Sequence, residues 1–145
     1  MRLKGAPKVG RFAIPLEVAN YADLEAARLG LLEPKKVRRL NITGAVDSGA
    51  ARLVLPQKVV KQLGLPYTSK VKVRYADGRT ATRNAVKGVN LQLLGRDGVF
   101  TALVEPKRQT ALIGAIVLED LDLLVDCTHQ RLVPRDPRFV ISEIE

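Results

Sequence analysis

The chain has 145 residues, of which 46% are hydrophobic and 27% are charged, as is ordinary for one globular domain with a single core. It contains no apolar run of about 18 residues, and its basic start lacks the apolar centre of a signal peptide, so we expect a cytoplasmic protein without a membrane partner. The single Cys127 excludes an intramolecular disulfide and cannot build a zinc site with the single His129. We therefore expect no metal or cofactor, a buried Cys127 thiol and a solvated His129.

The net charge of +9 would suit nucleic acid or an acidic substrate, provided that the basic residues cluster. The densest group is Lys35–Arg39, with the sequence KKVRR. Only three Tyr and three Phe are present and they do not alternate with basic residues, so a stacking surface for single strands is not indicated. We favour a solvated basic face and keep nucleic acid as a less favoured partner.

The first predicted elements are a strand and a short helix. Arg11–Tyr21 alternates between apolar and polar residues as a strand does, and Pro15 restricts this strand to a sheet edge or a bulge. A helix is predicted over residues 22–32, capped by Asn20 or Asp23. Its apolar face would consist of Leu24, Ala27 and Leu31.

The next stretch places an acid directly after a strand. The apolar run Ile42–Val46 leads into Asp47, Ser48 and Gly49, so the strand must end in a tight loop. Glycine lets backbone pass close to the acid or take a positive φ, and the serine supplies a short donor and acceptor beside it. The alternative is an ordinary turn, because Asp-Ser-Gly is common turn chemistry. Residues 50–55 are predicted to leave the loop as a second strand.

A helix and a hairpin are predicted next. Pro56 introduces a helix over residues 57–65, with Gly64 as its C-terminal stop. Lys70–Val86 alternates towards Asp77-Gly78 and away from it, which is the strongest hairpin signal in the sequence. Two further strands, at Gly88–Leu94 and Gly98–Val104, are predicted around a turn at residues 95–98, and a last hairpin is predicted from Leu123–Asp126 and Arg131–Val133.

A second apolar run reaches a glycine far down the chain. Ala111–Ile113 leads to Gly114, after which the pattern becomes helical over Ala115–Leu123. Three acids on this helix could suggest a metal site, but a solvated face is the interpretation that we favour. These acids are Glu119, Asp120 and Asp122.

Together, Ala45-Val46-Asp47-Ser48-Gly49-Ala50 and Leu112-Ile113-Gly114 resemble the paired motifs of the retropepsin-like aspartic proteases of clan AA, and within that clan the small prokaryotic members. The resemblance covers roughly residues 39–134. Three further elements follow in the order seen in those members: Leu55-Pro56, Tyr75-Ala76-Asp77-Gly78-Arg79 and Leu124-Val125-Asp126.

The resemblance implies a mainly β fold, the closed β-barrel of the acid proteases, with one or two short helices and minor α/β content. It implies a single protease domain over residues 11–136. Before it we expect a flexible basic leader at residues 1–10, and after it a tail at residues 137–145 that could lie in a dimer interface.

The resemblance also implies an aspartic endopeptidase that cleaves a polypeptide with a water activated between two Asp47 carboxylates of a homodimer. Asp47 alone stands in the required setting, so the second carboxylate would come from a partner chain. The implied catalytic residues are Asp47, Ser48 and Gly49, the implied substrate-binding residues are Ala50 and the flap tip Ala76, Asp77, Gly78 and Arg79, and the structural second motif is Leu112, Ile113 and Gly114.

One departure and two alternatives stand beside this hypothesis. Retroviral members carry Arg and then Asp or Asn after the second glycine, whereas this chain has Ala115-Ile116 and so lacks a charged contact that braces the dimer or the helix. The first alternative is a non-catalytic dimeric module on the same fold that binds peptide or nucleic acid. The second is a monomeric β-barrel binding protein unrelated to proteases, in which the two glycine motifs are a coincidence. For the hairpin itself, a plain surface hairpin is as well supported as a flap.

Overall fold

A computed structural model describes residues 11–145 of the chain, so the predicted leader at residues 1–10 lies outside the described residues. The strands are β1 (Arg11–Asn20), β2 (Arg39–Asp47), β3 (Leu53–Pro56), β4 (Tyr67–Arg74), β5 (Thr80–Leu93), β6 (Arg96–Glu105), β7 (Ala111–Ile113), β8 (Leu123–Asp126) and β9 (Arg131–Pro134). The helices are α1 (Tyr21–Arg28), α2 (Gln57–Leu63) and α3 (Ala115–Asp120), and a 3₁₀ turn lies at Pro34–Lys36.

Six of the strands close into a barrel. The main sheet has the order β1-β2-β7-β3-β6-β5-β4, and β1 also pairs with β5 from Glu17 to Asn20. That extra pairing joins the two sides of the sheet and leaves β4 as an extension beyond β5. The prediction of a mainly β, closed barrel of the acid protease type is confirmed, although the described chain has three short helices where one or two were expected.

The position of Pro15 follows from how β1 is paired. β1 pairs with β2 along its length, but β5 reaches it only from Glu17 onwards. Pro15 lies opposite Thr43 of β2, in the part of β1 that has one neighbour. A strand with one neighbour has one side without ladder hydrogen bonds, and prolines in sheets are found on such edges. The prediction that Pro15 restricts β1 to an edge or a bulge is therefore confirmed by its edge position.

The core is the apolar interior of the barrel. Val46, the last residue before Asp47, has no exposed surface, and neither has Ile113, the last residue before Gly114. Each fully buried side chain of this kind contributes about 1.5 to 3 kcal/mol relative to an exposed one. Asp47 and Gly114 therefore each follow directly after a residue that is anchored in the hydrophobic core.

The first helix is shorter than predicted. α1 ends at Arg28 because the chain turns at Gly30, which has a φ of +76°. Leu31 is consequently 78% exposed, and the predicted apolar face that included it is wrong. Asn20, one of the two predicted caps, accepts the hydrogen bond from the Asp23 N–H.

The strands around the β5–β6 turn also differ from the prediction. The turn residues are Leu94 and Gly95, both with positive φ (52° and 77°), so residues 96–98 belong to β6 and not to a turn. β5 continues without a break through Gly88, whose φ of +74° accompanies a shift in register between Val86 and Val89. β3 begins at Leu53, three residues later than expected, because the loop after Asp47 is longer.

The C-terminal hairpin β8–β9 forms as predicted, but two side chains near it differ. Cys127 is exposed, because it lies in the turn and not on a strand, so the expected burial of its thiol is wrong. Asp122 does not belong to a solvated face. Its carboxylate accepts bonds from the Ile141 N–H at 3.0 Å and from Arg135 Nε at 2.8 Å, which lower its pKa. His129 is exposed, as expected.

Two features of the described residues bear on membrane insertion and on metal binding. None of the helices in residues 11–145 combines the length and hydropathy needed to span a bilayer. Over the same residues, no group of three or more His, Cys, Asp or Glu side chains is arranged to hold a metal ion.

Asn20 offers a test of how the helices are fixed to the barrel. Its side chain is 3% exposed, caps α1 and donates from Nδ2 to the carbonyl oxygen of Leu63 at the end of α2 (2.8 Å). We expect Asn20→Ala to lower the free energy of unfolding in urea by about 2 to 4 kcal/mol, because both bonds are lost in a buried place. The exposed Asn41→Ala should change it by about 0.5 kcal/mol or less. Equal effects of the two variants would contradict this role.

Candidate active site

The two motifs meet through a parallel strand pair. β2 and β7 run side by side with Val46 opposite Ile113, so Asp47 and Gly114 are the next residues on neighbouring strands. β7 also contacts β3, the strand that leaves the loop, through the pairing of Leu112 with Val54. The structure therefore brings together the two sequence motifs, which are far apart in the chain.

The loop after β2 holds the Asp47 carboxylate with its own backbone. The Gly49 N–H donates to Asp47 Oδ1 at 3.0 Å, and the Ala50 N–H donates to the Asp47 carbonyl oxygen at 3.1 Å. Asp47 is half-buried, whereas Ser48 and Gly49 are exposed. The carboxylate is thus oriented at the end of a buried strand, with its serine neighbour on the surface.

The segment after Gly114 lies against this loop. The Ala115 N–H donates to the Ala50 carbonyl oxygen at 2.7 Å, and the Ile116 N–H donates to the Ala51 carbonyl oxygen at 3.0 Å. Gly114 has an ordinary extended backbone, but a Cβ on it would lie 2.8 Å from Ala50 O and closer still to the carbonyl oxygen of Arg52. Glycine is required here for space, because any side chain would push the two backbones apart.

A cleft of about 450 Å³ opens beside the loop. One wall is the loop from Gly49 to Arg52, and another is the stem of the hairpin, residues 71–75. Its apolar surface is formed by Val54, Val71, Val73, Leu103 and Leu112. Of the predicted substrate-binding residues, Ala50 lines this cleft.

The predicted flap tip forms the turn of the β4–β5 hairpin. The Tyr75 N–H donates to the Arg79 carbonyl oxygen (2.8 Å), and Gly78 takes a φ of +89°. The Asp77 carboxylate accepts from the Arg79 N–H (3.0 Å) and Arg79 Nε (2.7 Å), which lower the pKa of Asp77. In the single chain, residues 76–79 do not line the cleft. The hairpin residues that line it belong to the stem.

A polar network in the cleft was missed at the sequence level. Tyr75 Oη donates to Glu105 Oε2 and Arg83 Nε donates to Glu105 Oε1, both at 2.5 Å. The hydrogen bond to Glu105, with partial burial, raises the pKa of Tyr75. The alternation of Val71, Val73 and Tyr75 could have indicated that Tyr75 faces the cleft. Glu105 gave no local signal, because the pairing of β5 with β6 brings it there.

The closed barrel and the braced aspartate loop define an acid protease fold. Residues 36–117 match a family model described as aspartyl protease, and this match covers more than half of the chain. It includes the Asp47 loop, the β4–β5 hairpin and Gly114. A search of curated proteins gave no match. The chain belongs to the retropepsin-like aspartyl proteases, as the motifs predicted, and its general function is that of a protease.

Gly114 offers a test of the bracing. We expect Gly114→Ala to lower the free energy of unfolding by about 3 kcal/mol, because the added Cβ overlaps the loop backbone. Gly30→Ala is the matched control, since Gly30 has a positive φ but open space around it, and we expect a cost of about 1 kcal/mol. Urea unfolding of both variants measures the difference, and a Gly114 variant as stable as the wild type would show that the close approach is not required.

Proposed function

We propose that the protein is an endopeptidase that cleaves polypeptides with a water activated by two Asp47 carboxylates, one from each chain of a homodimer. The observation that carries this proposal is the placing of Asp47 in a loop that Gly49 and the Gly114 segment hold by backbone hydrogen bonds, next to a cleft. A scaffold or a binding module has no physical need for an acid in such a loop, so the geometry favours the enzyme.

Two chains are needed because the chemistry uses two acids. Neighbouring carboxylates resist double ionisation and share one proton, so one acts as base while the other acts as acid. The Asp-Ser-Gly motif occurs once in the sequence. Glu105, the one acidic residue among the described residues of the cleft lining, has both oxygens engaged by Tyr75 and Arg83. A two-fold axis beside Asp47 supplies the second aspartate from the partner.

The proposed reaction follows from this pair. The ionised carboxylate takes a proton from water, whose oxygen attacks the carbonyl carbon, while the protonated carboxyl donates its proton to the carbonyl oxygen. The diol then collapses: the carboxyl that holds the proton from water gives it to the leaving nitrogen, the C–N bond breaks, and the other carboxylate takes the proton of a diol hydroxyl, which restores the starting pair. We assign to Gly49 the donation of its N–H to Asp47, and to the exposed Ser48 a hydroxyl contact between the two loops across the axis.

Two exposed apolar regions support association of two chains. Ile116, in the place where retroviral relatives carry Asp or Asn, is 50% exposed beside the catalytic loop. The tail exposes Phe139 and Ile141, and Arg96 holds this tail by donating to the carbonyl oxygens of Asp136 and Phe139. We propose that these regions supply the apolar contacts of the dimer in place of a charged brace.

The basic N-terminal segment gives less support to nucleic acid binding. Arg38 pairs with Asp23 at 2.8 Å and Arg39 pairs with Glu17 at 3.4 Å, so both arginines of the KKVRR sequence have carboxylate partners. Lys35 also has a carboxylate partner, Glu33 at 3.9 Å, so three of the four cations of the segment are paired. This arrangement favours the solvated face over a site for phosphates.

The catalytic aspartate can be tested by one substitution. We expect Asp47→Asn to lower cleavage of unfolded casein by about 10² to 10⁴-fold, because the amide can neither take a proton from water nor share one. Wild-type activity should follow a bell-shaped pH profile, since the rate requires one proton on the pair. The measurement is casein cleavage between about pH 4 and 7.

The control is Asp97→Asn, which removes an exposed carboxylate from β6 and should keep wild-type activity. Light scattering on each protein shows whether the variants associate as the wild type does. An Asp47→Asn variant that cleaves as fast as the wild type, or a monomeric wild type with full activity, would overturn the proposal.

A further inference from the structure

We propose that Arg108 is a specificity-determining residue that binds an acidic side chain of the substrate next to the cleavage site. The inference rests on the proposed function for its role in catalysis, but the binding that it describes can be measured without cleavage. The structural basis is the charge of the cleft and the partners of each charged group in it.

The lining of the cleft is rich in cations. It includes five basic residues, namely Arg52, Lys72, Arg74, Arg83 and Arg108, against the carboxylate of Glu105. Lys72 and Arg74 are exposed and alternate with the half-buried Val71 and Val73, which places their side chains on the other face of β4. The charges that act inside the cleft are therefore those of the three remaining arginines and the glutamate.

Arg83 and Glu105 compensate each other. Their ion pair is 2.5 Å long, with side-chain exposures of 29% and 18%. The second carboxylate oxygen of Glu105 accepts from Tyr75 Oη. Arg83 also donates from Nη1 to the Thr82 carbonyl oxygen at 3.1 Å. Because Glu105 already neutralises its charge, Arg83 is the weaker anchor for an acidic ligand.

Arg108 has no such partner. Its Nε donates to the Thr110 carbonyl oxygen at 2.8 Å and its Nη2 to Thr110 Oγ1 at 3.3 Å. Within residues 11–145, no carboxylate lies in ion-pair distance of it. A guanidinium has five N–H donors and suits the two oxygens of a carboxylate, so this half-buried group keeps donors for one.

The position of Arg108 is fixed. It lies in the loop between β6 and β7, and its two bonds to Thr110 hold the guanidinium directly before the strand that pairs with β2. A side chain whose position is set before binding loses little entropy when a ligand arrives. Arg52, exposed on the catalytic loop, adds a second cation at the cleft mouth that attracts acidic peptides.

The rest of the lining defines the substrate class. Val54, Val73 and Leu112 are apolar and half-buried, so they suit an aliphatic side chain. With Arg108 in the same cleft, the expected substrate is an extended peptide with an apolar residue near the scissile bond and an Asp or Glu within a few residues of it. The overall charge of +9 favours encounter with acidic chains.

The first experiment compares cleavage preferences. A synthetic peptide library, made once with free C-termini and once with amidated C-termini and with free Asp and Glu side chains in both, is cut by the wild type, Arg108→Gln, Arg108→Lys and Arg108→Glu, and the cut sites are read by mass spectrometry. We expect the wild type to favour Asp or Glu at one subsite. For acidic peptides, kcat/KM should fall roughly ten- to a hundredfold in Arg108→Gln, mostly through KM. Arg108→Lys should keep part of the preference.

The charge-reversal variant distinguishes a change in substrate preference from misfolding. Arg108→Glu should favour Lys or Arg at the same subsite, and only a folded enzyme can gain a new preference. The matched control is Lys107→Gln, which removes an exposed positive charge from the neighbouring position in the same loop and should leave the preference unchanged. Amidation of the library removes terminal carboxylates, so a preference lost on amidation would assign Arg108 to a chain end and overturn the side-chain proposal.

A second experiment does not depend on catalysis. Immobilised Asp47→Asn is loaded with the uncut library, and retained peptides are compared with those on Asp47→Asn/Arg108→Gln. If acidic peptides are retained only when Arg108 is present, but the wild type cleaves no peptide, the proposed endopeptidase function is wrong. The proposed binding of acidic peptides by Arg108 then still stands. Cleavage by the wild type with no acidic preference, or a preference that survives in Arg108→Gln, would overturn the role of Arg108 and leave the protease intact.

Discussion

The close approach of two backbones at Gly114 is the constraint on which the rest of the site depends. The Ala115 and Ile116 N–H groups bind the carbonyl oxygens of Ala50 and Ala51, which is possible only because Gly114 has no side chain. The parallel pairing of β2 with β7 brings these segments together, and the buried Val46 and Ile113 hold the pairing in the core. Closure of the barrel therefore fixes the position of the loop that carries Asp47.

The cleft combines this rigid loop with a hairpin held by side chains. Tyr75 and Arg83 reach Glu105 on β6, so the hairpin stem is connected to the barrel by polar contacts as well as by strand pairing. Partly exposed ion pairs of this kind contribute about 1 kcal/mol or less, so most of the attachment of the hairpin comes from the pairing of β5 with β6. Inside the cleft, the bonds from Tyr75 and Arg83 engage both carboxylate oxygens of Glu105. In our proposal, Arg108 then supplies the positive charge that an acidic substrate contacts.

The motifs were predictable because their signals are local. The apolar run before Asp47, the glycine after it and the Asp77-Gly78 turn each constrain a few successive residues, and the structure contains all three. The turn at Leu94 was missed because a leucine with positive φ is rare and leaves no mark in the sequence. The two strands of the β5–β6 hairpin were predicted around their turn, but the contacts of Glu105 with Tyr75 and Arg83 join residues 30 and 22 positions apart in the chain, so hydrophobic pattern alone could not predict them.

The central claim is that two chains share the chemistry, and a mixing experiment tests it most directly. Wild type and Asp47→Asn are unfolded together, refolded at a fixed total concentration, and assayed as the wild-type fraction is varied. If each active unit needs two intact aspartates, activity follows the square of that fraction, so an equal mixture retains about one quarter of the activity. A chain that acts alone gives a linear dependence and about one half, and that result would contradict the account.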